Sequence, residues 1–185
     1  SGVPLGSVYY YYPTKDELTA SVIAERNSRI VRLIEQQTDI APAEKRLLAF
    51  VSVWMEDREI DARYGCPIGS LCFEVARTRR LAADAPFQTL IDWCRTQFHS
   101  LGAGRASERY AVHLIAALQG ISLMAAVFAD PRLIEQEVSF LRSWVRETAK
   151  GRRAPLMPAS RRTAGRRRIT RRQRSAPTKT EVRDP

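Results

Sequence analysis

The side chains of this chain that could perform chemistry are few: three cysteines, two histidines and a run of tyrosines near its start. The cysteines form no Cys-x-x-Cys pair, which argues against both a zinc ribbon and a disulfide scaffold. Two histidines provide little for a metal site, and no nucleophile–base pair, paired carboxylates or phosphate-binding loop is evident. We therefore expect a protein that is not an enzyme and that uses no metal or cofactor.

Two of the cysteines are open to two interpretations. Cys66 precedes Pro67, a residue type that often begins a helix, and thiols at helix N-termini are more reactive than others. Cys66 and Cys72 could therefore be redox sensors, or they could be small packing residues. Cys94 is predicted to lie in the core. Each histidine is too isolated to be proposed as a metal ligand.

Charge divides the chain near residue 150. Residues 1–150 contain 18 basic and 18 acidic side chains, whereas residues 151–185 contain 12 basic and 2 acidic ones. The body is therefore neutral, and the net charge of +10 lies in the tail. The composition is that of a soluble globular protein, and the polar start of the chain resembles no signal peptide. We expect a cytoplasmic protein.

Residues 152–185 contain almost no large apolar side chains. Such a segment buries too little surface to offset the entropy lost on ordering, so 151–185 is predicted to be a disordered basic tail. Its arginines could contact DNA phosphates without sequence preference. Alternatively, the tail is simply solvated, or it is an out-of-frame extension in a GC-rich gene. The arginines concerned are Arg161, Arg162, Arg166, Arg167, Arg168, Arg171, Arg172 and Arg174.

Hydrophobic periodicity predicts an all-α fold with five or six helices between residues 14 and 150. The first follows Thr14-Lys15-Asp16-Glu17, which has the spacing of a capping box. The last begins after Asp130-Pro131. By β-propensity alone, the segment from Val8 to Tyr12 would be a strand. The predicted helices lie at about 15–37, 42–60, 67–76, 86–98, 110–129 and 131–150.

The stretch from Tyr110 to Ala129 contains no charged residue and is long enough to cross a bilayer. It includes polar residues, however, and the chain has no second segment of this kind, so we do not expect a membrane protein. A helix that is apolar on all sides is usually buried on both sides. We expect one face to pack on its own subunit and the other on a partner.

The tyrosine-rich start of the chain has a recognisable pattern. Residues 2–18, GVPLGSVYYYYPTKDEL, resemble the helix-turn-helix signature of the tetracycline-repressor (TetR/AcrR) family, commonly G-V-S-x-G-[ST]-[LIV]-Y-x-[HY]-F-x-[ST]-K-x-x-L. Pro4 stands in place of the usual Ser or Thr, Tyr11 in place of His and Tyr12 in place of Phe. The matching residues are Gly2, Val3, Gly6, Ser7, Val8, Tyr9, Tyr10, Tyr12, Lys15, Glu17 and Leu18.

The resemblance implies a recognition helix that enters the major groove of operator DNA, with Val3, Val8 and Tyr12 pointing inward. Lys15 matches the family's phosphate-contacting lysine and would gain from the helix N-terminus. The alternative interpretation is a tyrosine-rich structural turn followed by a solvated lysine. The other residues implied in DNA contact are Leu5, Gly6 and Tyr9 at the bases, and Ser7, Tyr10 and Tyr11 at the phosphates.

The resemblance also implies a division of the chain. Residues 1–37 would be the C-terminal part of the helix-turn-helix domain, and 38–150 an all-helical regulatory domain. Tyr64–Leu71 and the following Glu74 are similar to the Gly-Cys stretch of the LmrA/YxaF-like branch of the family. Helices 105–129 and 131–150 would form the four-helix interface of a homodimer.

Family members bind small, often hydrophobic effectors in a pocket between the helices of this domain, and such pockets are mainly apolar with a few polar groups. Each candidate pocket residue in this chain could instead belong to the ordinary core. The candidates are Trp54, Met55, Phe73, Phe87, Trp93, Phe98, Gln119 and Met124.

The resemblance therefore implies a transcriptional regulator, a repressor that a small-molecule effector releases from a palindromic operator. The family's first helix and most of its second are not represented before Gly2, so we expect an N-terminally truncated chain. A short helix without support is marginal in water, and this chain is expected to dimerise but to bind DNA specifically only weakly. The alternative is a helical ligand-binding and dimerisation module without specific DNA binding.

Overall fold

Residues 5–78 and 82–151 are described by the structure, a computed structural model, and they form α-helices with no strand among them. The protein is therefore all-α in its described part, as predicted. Residues Gly2, Val3 and Pro4 of the tyrosine-rich segment and the basic tail at 152–185 lie outside the described residues. The helices are α1 (Leu5–Tyr11), α2 (Lys15–Gln36), α3 (Ala43–Glu56), α4 (Arg58–Tyr64), α5 (Pro67–Thr78), α6 (Ala85–Ser100), α7 (Ser107–Phe128) and α8 (Arg132–Ala149), with a 3-10 helix at Gly104–Ala106 before α7.

The tyrosine-rich segment is a helix and not the strand that β-propensity alone favours, which shows how readily local context overrides this propensity. Val8 and Tyr12 are half-buried on one side of α1, because positions four apart share a helix face. The hydroxyl of Ser21 in α2 donates to the Tyr12 hydroxyl oxygen at 3.2 Å. This contact attaches the end of α1 to α2.

Thr14 caps α2, so the predicted capping-box position is confirmed. Its Oγ1 accepts a hydrogen bond from the Glu17 backbone N–H at 3.2 Å, which satisfies one of the N–H groups left without a partner in a first turn. The Thr14 hydroxyl also donates to the Glu17 carboxylate at 3.1 Å. Helix α2 therefore begins at Lys15, directly after the turn that follows α1.

The predicted helix at 42–60 is wrong in its second half, because the chain breaks at Asp57 into α3 and α4. Two hydrogen bonds of the side chain that follows the break accompany it, and periodicity does not reveal them. The Arg58 guanidinium donates to the Met55 carbonyl oxygen at 2.7 Å, which satisfies the end of α3. It also donates to Glu135 of α8 at 2.9 Å. The sequence predicts five or six helices between residues 14 and 150. With this break, the described residues in that range form seven α-helices.

The predicted helix boundaries at glycine and proline are confirmed. Gly65, with φ of 71°, follows α4, and Pro67 begins α5. Gly102, with φ of 81°, follows the end of α6. Left-handed backbone of this kind favours glycine, since a Cβ is strained there. The Asp130 carboxylate accepts the backbone N–H of Arg132 at 3.0 Å at the start of α8.

The core is built where α3, α6, α7 and α8 meet. The aromatic rings of Phe98, Tyr110 and Trp144 pack on one another, with centroids 5.3 to 5.7 Å apart. Full burial of one such side chain stabilises the folded protein by about 1.5–3 kcal/mol. The largest fully buried aliphatic residues around them are Leu47, Leu90, Leu114, Leu118, Ile134 and Leu141.

Helix α7 is buried on one side only. Within the described residues, Gly104–Phe128 is the one helical stretch that is long and apolar enough to cross a membrane, and 33% of its most apolar window is buried inside the protein. Tyr110, Leu114 and Leu118 lie on the buried side. The opposite side, with Val127 as its most exposed large residue at 71% exposure, faces outward in the single chain.

Candidate functional site

The exposed side of α1 presents most of the residues that the sequence implicates in DNA contact. Tyr9, Tyr10 and Tyr11 are 62%, 80% and 72% exposed, and the rings of Tyr10 and Tyr11 meet edge to face at 5.1 Å. Gly6 and Ser7 are also exposed, and Leu5 is the first residue of the helix. We call the group Gly6, Ser7, Tyr9, Tyr10 and Tyr11 the tyrosine surface.

Lys15 is exposed at the first position of α2. The backbone N–H groups of a first helical turn attract anions, and Thr14 engages only that of Glu17. Asp16 and Glu17 bring negative charge to the same turn, although the Glu17 carboxylate accepts from the Thr14 hydroxyl. An anion bound at the start of α2 would therefore meet the positive charge of the Lys15 ammonium group.

Helix α2 connects the tyrosine surface to the bundle. Ile23 and Ile30 are its buried apolar residues, and the Thr89 hydroxyl of α6 donates to the Asn27 side-chain oxygen at 2.8 Å. Since α2 also contacts α5, a shift of α5 or α6 would move α2 and the helix attached to its start.

A cavity of about 850 Å³ lies against α5, α6 and α7. We call it the large cavity. Its size falls within the range of small-molecule sites, and apolar walls are typical of them. Three residues predicted as ligand residues line it, Phe73, Phe87 and Gln119. Its other lining residues are Gly65, Cys66, Gly69, Ser70, Cys72, Ala76, Ala82, Ala83, Asp84 and Leu123.

Gln119 is the principal polar group of the α7 wall. Its Nε2 donates to the Sγ of Cys66 at 3.5 Å, a contact that joins α7 to the turn before α5. The approach depends on Gly69, because a Cβ there would clash with the Oε1 of Gln119. Glycine at residue 69 therefore lets the amide lie against α5.

Both cysteines that were open to two interpretations line the large cavity. Cys72 is 4% exposed, and its burial, with a smaller effect from Cys66, raises the pKa of its thiol. A raised pKa reduces the thiolate fraction and hence the reactivity of Cys72, which favours packing. Cys66 is half-buried and stays open to both interpretations. Cys94 is fully buried, which confirms its predicted core position.

A second cavity, of about 180 Å³, lies between α2, α3, α4 and the start of α5. We call it the Asp61 cavity. Trp54, a predicted ligand residue, lines it together with Asp61. The Trp54 indole N–H donates to the Ser122 hydroxyl oxygen at 3.1 Å, and that hydroxyl donates to Asp61 Oδ2 at 2.8 Å.

Asp61 is a buried carboxyl group that the sequence analysis missed. It is 5% exposed, and burial raises its pKa against the opposing effect of the Ser122 hydrogen bond, with a further increase from Asp57. Two features of the sequence could have drawn attention to it. Asp57 and Asp61 are one helical turn apart, and Ser122 is a polar residue within the apolar stretch of α7.

The remaining predicted ligand residues line neither cavity. Trp93 packs on Phe50, with ring centroids 5.2 Å apart. Phe98 is fully buried in the aromatic core, and Met124 is 49% exposed. Met55 is half-buried in the last turn of α3. Residues of similar apolar type therefore line a cavity, fill the core or lie on the surface. The sequence alone does not show which of these positions each residue takes.

Several large apolar side chains are exposed on the last two helices. We call five of them the α7–α8 apolar face, namely Val112, Leu123, Val127, Phe128 and Phe140, with exposures of 45%, 65%, 71%, 67% and 61%. Several large exposed apolar side chains on two neighbouring helices are typical of interaction surfaces. Leu123 also lines the large cavity.

The part of the chain that the structure describes contains no group of three His, Cys, Asp or Glu side chains placed to bind a metal ion. His99 is exposed, and His113 lies with its ring 5.1 Å from that of Trp144. No model of a known protein family matches the chain, and no curated protein matches it. Its function must therefore be argued from the tyrosine surface, the cavities and the α7–α8 apolar face.

Proposed function

We propose that this protein is a cytoplasmic transcriptional regulator of the TetR type, a repressor that binds a palindromic operator as a homodimer and is released by a small, hydrophobic effector. The observation that carries the proposal is the tyrosine surface, a short helix with three adjacent, largely exposed tyrosines. The capped start of α2, with Lys15 at its first position, follows directly.

The side chains of the tyrosine surface are better suited to contact DNA than to remain exposed to water. An exposed tyrosine ring leaves apolar area in contact with solvent, and three in succession are unusual for a surface with no partner. A helix fits the width of the major groove, and hydroxyl groups contact bases or phosphates there. Lys15 would neutralise one phosphate next to the groove.

The large cavity is the proposed effector site. Its volume of about 850 Å³ accommodates a drug-sized molecule, and the Gln119 amide offers one orienting polar group. An effector there would contact α5 and α6, the helices against which α2 packs. The effector would release the operator only if it bound more tightly to a conformer of the dimer in which the spacing of the two recognition helices does not fit the operator half-sites.

The α7–α8 apolar face is the proposed dimer interface. Its pairing with a second copy would remove five large apolar side chains from water. A twofold axis would then present two copies of α1 to successive major grooves, about one helical turn of DNA apart.

The first experiment selects bound fragments from the genomic DNA of the source and measures their affinity by gel mobility shift. Tyr9→Ala should weaken operator binding by about tenfold or more, because each good base contact contributes about 1–3 kcal/mol. Tyr64→Ala, which removes a 67% exposed tyrosine elsewhere, is the matched control and should have no effect. Equal losses from both substitutions would contradict the proposal.

Lys15→Ala separates a phosphate contact from a base contact. It should weaken binding to all sequences alike, and it should reduce the slope of log affinity against log salt by roughly 0.9 for each phosphate released. An unchanged slope would remove Lys15 from the interface.

A second function, a helical ligand-binding and dimerisation module without specific DNA binding, is favoured by one observation. The tyrosine surface belongs to a helix of 7 residues, and short helices are marginal without tertiary support. Failure to select any DNA sequence, with dimerisation and ligand binding retained, would establish this alternative.

A further inference from the structure

Asp61 is a buried acid without a basic partner among the residues that the structure describes. Its carboxylate accepts one hydrogen bond there, from the Ser122 hydroxyl at 2.8 Å. Two arginines, one from the same cavity lining and one from the same helix, are engaged elsewhere. Arg29, which lines the same cavity, is paired with Glu25 at 2.9 Å, and Arg58 pairs with Glu135 at 2.9 Å.

A carboxylate in this position is costly when it is charged and alone. Removing a charge from water is unfavourable unless an opposite charge compensates it, and the raised pKa of Asp61 reflects that cost. Asp57 also lines the cavity and adds negative potential. The cavity is therefore electrostatically suited to a positively charged occupant.

The walls of the cavity determine what kind of cation fits. Besides Asp57, Asp61 and Arg29, the lining is mostly apolar or aromatic, from Ile30, Leu33, Val53, Trp54, Pro67 and Ile68, with Cys66. A metal ion requires several oxygen, nitrogen or sulfur ligands. Alkyl groups, in contrast, gain from aliphatic walls, and an ammonium group is attracted to the face of an indole ring.

We propose that the Asp61 cavity binds a small organic ammonium ion. The positive charge pairs with the Asp61 carboxylate, and the alkyl substituents contact Trp54 and the aliphatic side chains of α2 and α5. The volume of about 180 Å³ admits a compact head group and excludes a drug-sized molecule. The site shares Cys66 with the large cavity but otherwise has its own lining, and its occupation requires no DNA.

Occupation of this cavity has a direct mechanical route to α1. Arg29, Ile30 and Leu33 of α2 form one wall, and α2 is the helix whose start adjoins the tyrosine surface. The ammonium ion would therefore fix α2 relative to α3 and α4. This consequence rests on the proposed function, whereas the binding itself does not.

Titration calorimetry on the full chain tests the site with two probes of nearly equal shape. The cation is (2-hydroxyethyl)trimethylammonium, and its neutral counterpart is 3,3-dimethylbutan-1-ol, both at constant ionic strength. The unaltered protein should bind the cation at least about tenfold more tightly, equivalent to about 1.4 kcal/mol. No preference for the cation would overturn the proposal without any variant.

Asp61→Asn should abolish the preference for the cation and leave the weak binding of the alcohol unchanged. The asparagine oxygen still accepts from the Ser122 hydroxyl, so the fold is expected to persist, which circular dichroism checks. Asp57→Asn is the control, because it removes an equal charge from an exposed residue of the same lining. It should reduce the preference less than Asp61→Asn does, because water screens the charge of the exposed Asp57. A preference that survives Asp61→Asn and disappears in Asp57→Asn would overturn the assignment to Asp61.

Discussion

Gly69 is the residue whose missing side chain lets the Gln119 amide of α7 lie against α5. Gly69→Ala would place a methyl group against the Gln119 amide, so Gln119 should swing away and lose Cys66 as its partner. Because Gln119 Oε1 is the end of a flexible side chain, the main cost is the lost hydrogen bond to Cys66, typically about 0.5–1.5 kcal/mol, which urea unfolding followed by circular dichroism measures. The matched control is Gly6→Ala in α1, where a Cβ meets no atom within 4 Å. A destabilisation no larger than the control's would show that Gln119 adapts freely.

Asp61 should make the stability of the unliganded protein depend on pH. Its pKa is raised in the folded state, so the folded chain binds this proton more tightly than the unfolded chain does. The resulting stabilisation is complete below about pH 4 and is lost as the pH rises through the folded-state pKa. Asp61→Asn should therefore raise the urea midpoint at pH 7, and the difference should vanish below about pH 4. A less stable Asp61→Asn protein at pH 7 would mean that the ionised carboxylate stabilises the fold.

At the scale of helices, local signals predicted the elements well. The Thr14 cap, the stops at Gly65 and Gly102, and the start at Pro67 all lie where the sequence places them, because each depends on residues close in sequence. The break at Asp57 could not be predicted in this way. Arg58, the residue after the break, pairs with Glu135 of α8, and helical periodicity does not reveal such contacts between residues far apart in the chain.

The candidate sites show the same limit. Gln119 and Phe73 were predicted as ligand residues and line one cavity together, whereas Phe98 of the same predicted set is core. Helical periodicity tells which residues share a face, but it does not tell which faces leave a space between them. Asp61 was missed for a related reason, since its burial depends on α7 lying across α4.

For the whole molecule, the α7–α8 apolar face predicts the oligomeric state. Val127→Glu would place a charge in the proposed interface, and desolvating that charge opposes association. The protein should shift from dimer to monomer in sedimentation equilibrium, with its helical content retained. The matched control is Ile60→Glu, because Ile60 is an apolar residue of α4, 58% exposed and outside this face.

Two results would contradict dimerisation through the α7–α8 apolar face. A protein that is monomeric before any substitution, or a Val127→Glu variant that dimerises as strongly as the Ile60→Glu control, would remove the face from the interface. The proposed twofold arrangement of two α1 helices would then need another pair of surfaces.

The three tryptophans make the intrinsic fluorescence of the protein a probe of its structure. Trp54 borders the Asp61 cavity, and Trp93 contacts the same phenylalanine as Trp54 does. Trp144 lies 6% exposed in the aromatic core. Trp54 and Trp93 therefore emit from one region of the bundle, around Phe50, and Trp144 emits from another. Versions that keep one tryptophan at a time would turn the protein into its own set of fluorescent reporters, in which Trp54 senses what enters the cavity and Trp144 senses whether the core is intact.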